Sequence, residues 1–125
     1  MNAIEVGQRL IALTTADKDP QALDELYADN VVSIEADGSD GTPDIFEGIQ
    51  AVRDKHAWWN SVATMHEVTA EGPYGAAADN QLAIKFGMDV TMQDQGRMQM
   101  TEIGIFTVEN GKIVREVYLP LVPSA

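Results

Sequence analysis

The chain of 125 residues has no cysteine, two histidines and only eight lysines and arginines. Without thiols there can be no disulfide framework, no thiolate metal ligand and no cysteine nucleophile, a composition that suits a reducing compartment. The eight cations face twenty acids, for a formal net charge of −12. Such a field repels phosphate backbones and anionic lipid surfaces, so neither nucleic acid nor a membrane is an expected partner. No apolar run approaches membrane-spanning length, and Met1 to Leu10 carries Glu5 and Arg9 where a signal core would be apolar. A cytoplasmic location is expected. Also missing are a glycine-rich phosphate loop, a His-Glu-x-x-His helix, a Gly-x-Ser-x-Gly elbow and EF-hand spacing, which removes support for nucleotide hydrolysis, zinc proteolysis and serine esterase chemistry.

What is present fits one soluble domain of 13.6 kDa, large enough for a core and one small-molecule pocket. Apolar residues at Ile4, Leu10, Ile11 and Leu13 predict an amphipathic helix over Ala3–Thr15. Asp19 followed by Pro20 predicts a second helix over Pro20–Tyr27, with Asp19 capping its free amides. Val31, Val32 and Ile34 predict a strand reaching Glu35 or Ala36, and Asp37 to Asp44, with two glycines and a proline, reads as a binding loop or lid. Over Gly48–Val62 the spacing of Ile49, Val52, His56 and Trp59 puts all four on one helical stripe, the best candidate to face a pocket.

Four extended segments follow: Met65–Glu71, Gln81–Gln93, Met98–Glu109 and Lys112–Leu119. Asn110-Gly111 suits a two-residue type I′ turn, Gln95-Gly96 a short hairpin, and Gly72-Pro73 a strand end or kink. Helices first and an antiparallel meander after them make the class α+β. Alternation places Leu82, Ile84, Phe86, Met88, Val90 and Met92 on one face, and Met98, Met100, Glu102, Gly104, Phe106 and Val108 on another. The opposite face of Met98–Glu109 carries Ile103 and Ile105, so both its faces are partly apolar, and a homodimer through the sheet would cover the one that the helices do not.

Titratable groups on these inner faces are the candidates for chemistry: Glu35 at a strand end, His56 on the helix stripe and Glu102 among apolar neighbours. A carboxyl in such surroundings loses hydration and becomes an acid or base usable near neutrality. Each has a structural alternative. Glu35 could be a solvated strand end, Glu102 could pair with Arg97, Arg115 or a backbone donor, and either histidine could be structural or sit at a rim. Trp59, His66, Met88, Met100, Phe106 and Tyr118 are the expected walls, with flexible thioethers able to mould around an apolar ligand or simply to fill the core. His56 and His66 show no ligand spacing, so no metal and no cofactor is expected; a metal-assisted hydrolase using both is a third, lesser reading.

The element order, together with Leu-Tyr-Ala-Asp-Asn-Val-Val (Leu26 to Val32), Phe-Glu-Gly (Phe46 to Gly48) and Glu-Asn-Gly-Lys-Ile-Val-Arg-Glu (Glu109 to Glu116), resembles SnoaL-like proteins of the nuclear transport factor 2-like superfamily. The likeness runs from about Ile4 to Tyr118. It implies a cone in which a curved antiparallel sheet wraps around three N-terminal helices. The superfamily holds isomerases, polyketide cyclases, dehydratases, hydrolases and non-catalytic binding modules, so fold alone does not choose among them. Ketosteroid isomerase, a member of it, has a general-base aspartate at the position matching Glu35. Its two oxyanion donors match Leu10 and Gly104 here, neither of which can donate a side-chain hydrogen bond. The resemblance therefore implies a cofactor-free cyclase or isomerase logic with Glu35 as base, His56 as a second acid/base or orienting group and Glu102 as a possible protonated donor, the alternative being a binding or dimerisation module. Between Asp19 and Val52 lie nine acids and no lysine or arginine. If that segment rims the cone, its potential favours a neutral or cationic small apolar ligand over an anionic one.

Overall fold

The computed structural model describes residues 1–38, 40–76 and 78–121. Its elements run α1 (Ala3–Thr15), α2 (Asp19–Leu26), β1 (Tyr27–Glu35), β2 (Asp44–Glu47), α3 (Ile49–Val62), β3 (Ala63–Tyr74), β4 (Gln81–Met92), β5 (Gly96–Glu109) and β6 (Lys112–Pro120). The strands form one curved, unclosed sheet in the order β2-β1-β6-β5-β4-β3. All neighbours are antiparallel except β1 and β6, which run parallel, so the sheet is mixed rather than purely antiparallel. With the three helices it builds a cone. Among the described residues no helix is long and apolar enough to cross a membrane.

Local chemistry explains most element ends. Asn2 caps α1 by accepting from the Glu5 amide at 2.9 Å, while Glu5 accepts from the Asn2 amide at 3.0 Å, a reciprocal capping box. α2 carries proline in its first turn as expected, but Asp19 makes no capping hydrogen bond. Its side chain turns into the cone instead. Asn110 and Gly111 both adopt positive φ, 51° and 74°, as the hairpin between β5 and β6 demands. The strand β3 runs through Gly72-Pro73 with an irregular register between Glu71 and Tyr74, so this pair kinks the strand without ending it.

Where the cone is packed, the predicted strand faces hold. Leu82, Ile84, Phe86 and Val90 of β4 are buried, as are Gly104, Phe106 and Val108 of β5, together with Val6, Leu10 and Leu13 of α1 and Leu23 and Leu26 of α2. Phe106 stacks edge-on to both Phe86 and Tyr118, at centroid distances of 6.4 and 6.0 Å. Gly104 makes this possible. A Cβ there would lie 2.7 Å from the Phe106 ring, so the position is set by aromatic packing.

Candidate functional site

The helices do not fill the cone. A cavity of about 910 Å³ remains between the three helices and the inner face of the sheet, with the exposed Asp37, Asp54 and Trp58 among its lining residues. Its size suits a drug-sized molecule. Glu35, His56, Glu102, Trp59, Met88, Met100 and Tyr118 all line it. His66 and Phe106, also expected at the walls, do not. His66 stands exposed on β3, hydrogen-bonded to the Thr91 hydroxyl at 2.7 Å, because β3 at the sheet edge turns that residue outward. Phe106 is fully buried beneath Gly104 and Tyr118 in the core.

Two residues that sequence reasoning passed over organise one side of the cavity. The first is Glu116, which is 0% exposed. Its carboxylate accepts hydrogen bonds from the hydroxyls of Tyr27 at 2.5 Å, Ser33 at 2.7 Å and Tyr118 at 2.9 Å. Burial, reinforced by the Glu116 charge, holds both tyrosine hydroxyls well above their ordinary range, so they stay protonated donors. Strand parity hid Glu116. Val108 pairs with Ile113 but Thr107 with Arg115, so Val114 is an extra residue and alternation changes phase between Ile113 and Glu116.

The second is Lys55, whose side chain is 12% exposed. Its ammonium donates to Ser33 Oγ at 2.6 Å and to Glu35 Oε1 at 3.0 Å, lies 3.8 Å from Glu116 Oε2, and sits 5.1 Å from the ring centres of both Phe46 and Tyr118. A signal existed in the sequence: Val52, Lys55, His56 and Trp59 follow i, i+3, i+4, i+7, which places Lys55 beside the stripe already read. Phe46 comes from β2, a strand not foreseen because it is four residues long and follows the acidic loop. Asp44 and Phe46 face inward on it, Ile45 and Glu47 outward.

Glu102 stands differently. Among the described residues its carboxyl has no hydrogen-bond or ion-pair partner: Arg97 is committed to Asp89 at 2.9 Å, and Arg115 is exposed. Burial pushes its pKa up to about 7, and the charges of Glu35 and Glu116 act in the same direction against the opposing pull of Lys55. Glu35, by contrast, holds the Lys55 ion pair and its side chain is 36% exposed. His56 is driven below its ordinary value chiefly by burial, opposed by Glu116 and Asp19, so the imidazole is neutral at neutral pH. Asp19 is raised, again mainly by burial, with His56 pulling the other way. No group of three or more potential metal ligands occurs among the described residues.

This arrangement is a chamber with apolar walls of Trp59, Met88 and Met100, in which the Glu102 carboxyl has no partner among the described residues. A SnoaL-like domain model matches residues 1–119. The chain belongs to the SnoaL-like family. A proposed SnoaL-like polyketide cyclase from Mesorhizobium loti, also described as a carbohydrate phosphatase, is 32% identical over 95% of this chain and 99% of its own, with a TM-score of 0.84. A proposed isomerase from Bacillus subtilis is 21% identical over 95% of this chain and 86% of its own (TM-score 0.77). A nuclear transport factor 2-like protein from Burkholderia pseudomallei is 15% identical over 97% and 92% (TM-score 0.74). The last two share the fold. No match was found among curated protein sequences.

The shift of Glu102 has a consequence for stability. Its proton is held more tightly in the folded chain than at the ordinary value of 4.5, so folding is penalised as pH rises from about 4.5 through about 7 and the penalty is complete above that. The Glu102→Gln protein should therefore gain up to about 3 kcal/mol over the parent at alkaline pH and nothing near the ordinary carboxyl pKa. Urea unfolding of both proteins across this range checks it; an equal difference at every pH would contradict the assignment.

Proposed function

We propose that this SnoaL-like protein is a cofactor-free enzyme of the isomerase or cyclase type that moves a proton on a neutral, largely apolar small molecule. One observation carries the reading: Glu102 faces the cavity without a partner among the described residues, and burial raises its pKa to about 7, so it can both accept and return a proton at the working pH. Glu102 therefore takes the acid/base role that family resemblance would give to Glu35. Glu35 is a charged neighbour, bound to Lys55, that raises the proton affinity of Glu102. His56, neutral and on the same cavity wall, is suited to hydrogen-bond or relay. Trp59, Met88 and Met100 give the substrate apolar walls.

The charge distribution supports a neutral or cationic substrate. Nine acids between Asp19 and Val52 include Asp19, Glu35, Asp37 and Asp44 of the cavity lining, a poor environment for a phosphorylated or carboxylated compound. The absence of cysteine supports a cytoplasmic setting. The outer sheet face supports a homodimer: Ile103 lies opposite Leu119 and Ile105 opposite Val117 across β5 and β6, an apolar patch that no element of the chain covers among the described residues. Sedimentation equilibrium should report a dimer that Ile105→Glu converts to monomer; a monomeric parent protein would contradict it.

The catalytic reading is tested with β-tetralone, a neutral bicyclic ketone, by following deuterium exchange at its α-carbon by NMR. The protein should accelerate exchange with a single ionisation near neutrality, and Glu102→Gln should remove about a hundredfold or more. Exchange unaffected by Glu102→Gln would overturn the assignment, and tight binding without any exchange would favour a binding module.

A further inference from the structure

Proton removal from a carbonyl compound leaves negative charge on oxygen, and an apolar chamber must supply a donor there. The positions that match the donors of ketosteroid isomerase, Leu10 and Gly104, offer none, and the hydroxyls of Tyr27, Ser33 and Tyr118 are all directed to Glu116. Lys55 is different. An ammonium has three protons; two are placed on Ser33 and Glu35, and Glu116 at 3.8 Å lies beyond hydrogen-bond range. The third has no acceptor among the described residues, and Lys55 lines the cavity.

From this geometry we infer that Lys55 is the oxyanion-binding residue of the cavity, donating its third N–H to the oxygen of an enolisable ketone or a phenol. The inference rests on the proton-transfer reading above and names its substrate class. In the step itself the Glu102 carboxylate takes the α-proton. The C–H bond breaks, its electron pair forms the C=C bond, and the carbonyl π-pair moves to oxygen, giving an enolate held by Lys55. Protonated Glu102 then returns the proton to carbon, so nothing is oxidised and no co-reactant is consumed. The ammonium needs no movement to do this. Ser33 and Glu35 fix two of its protons, and the rings of Phe46 and Tyr118 flank its charge. Glu116 acts at one remove as a positioning residue, since the Ser33 hydroxyl that receives the Lys55 proton gives its own to Glu116.

The probe is para-nitrophenol, whose ionised form absorbs at longer wavelength than the neutral phenol. In the Glu102→Gln protein, which imitates the protonated carboxyl, it should bind partly as phenolate. Adding Lys55→Met should lower the bound phenolate-to-phenol ratio about tenfold or more, with Lys55→Arg restoring part of it. An unchanged ratio, or no binding of the phenol, overturns the assignment. The same question is answered with Lys55 in place: in lysine-labelled Glu102→Gln protein the phenol should displace the Lys55 Nζ resonance, and a resonance that does not move overturns the assignment even if Lys55→Met fails to fold. The base assignment fails separately, when Glu102→Gln leaves β-tetralone exchange unchanged while the phenolate still depends on Lys55.

Discussion

A buried carboxylate with nothing but its own protein to solvate it must recruit donors, and Glu116 recruits three hydroxyls. Tyr27 and Ser33 from β1, Tyr118 from its own strand and, through Ser33, Lys55 from α3 converge on it. The parallel pairing of β1 with β6 brings these groups together, with Ser33 directly opposite Glu116 in the register. Leaving such a charge without partners costs several kcal/mol, so the strand pairing and the placement of α3 are tied to one polar cluster inside an otherwise apolar core.

That allocation of donors determines what is left for the cavity. Glu35 accepts from Lys55 as well, Arg97 is held by Asp89, and Glu102 has no partner among the described residues, on a cavity wall that also carries Phe86, Met88 and Met100. Among the carboxyls of this chamber, Glu35 and Glu102 thus have unequal environments, the first ion-paired and 36% exposed, the second unpaired among the described residues and raised by burial. Unequal environments are how carboxyl pairs are divided between roles in acid/base catalysis. The acidic stretch from Asp19 to Val52 contributes Asp19, Glu35, Asp37 and Asp44 to the cavity lining, so the chamber is rich in acids and the ammonium of Lys55 is the cation set among them.

Much of this frame was legible in the sequence, because alternation in β4 and β5 and the stripe on α3 are local patterns. Leu82 to Val90 and Met100 to Val108 face the way their period predicts, and His56 and Trp59 reach the cavity from the stripe. The strand β2, the parallel β1–β6 pair and the outward turn of His66 depend on contacts between distant segments, which no local period encodes. Glu116 was hidden by a single extra residue, Val114, that reverses strand phase. Asp19 carries the chemistry of a cap, yet burial in the cavity wall won over capping. Lys55 was passed over because a lysine on a helix is ordinarily solvated; only the cluster of oxygens and rings around it makes an inward ammonium stable.

The central claim is that donor allocation around Glu116 leaves Glu102 in the cavity without a partner among the described residues, its proton affinity raised by burial. Carboxyl-carbon NMR of glutamate-labelled protein, with Glu102 assigned by its loss in Glu102→Gln, measures this directly. The account predicts a Glu102 titration midpoint at about 7. A midpoint at its ordinary value of 4.5 would contradict it.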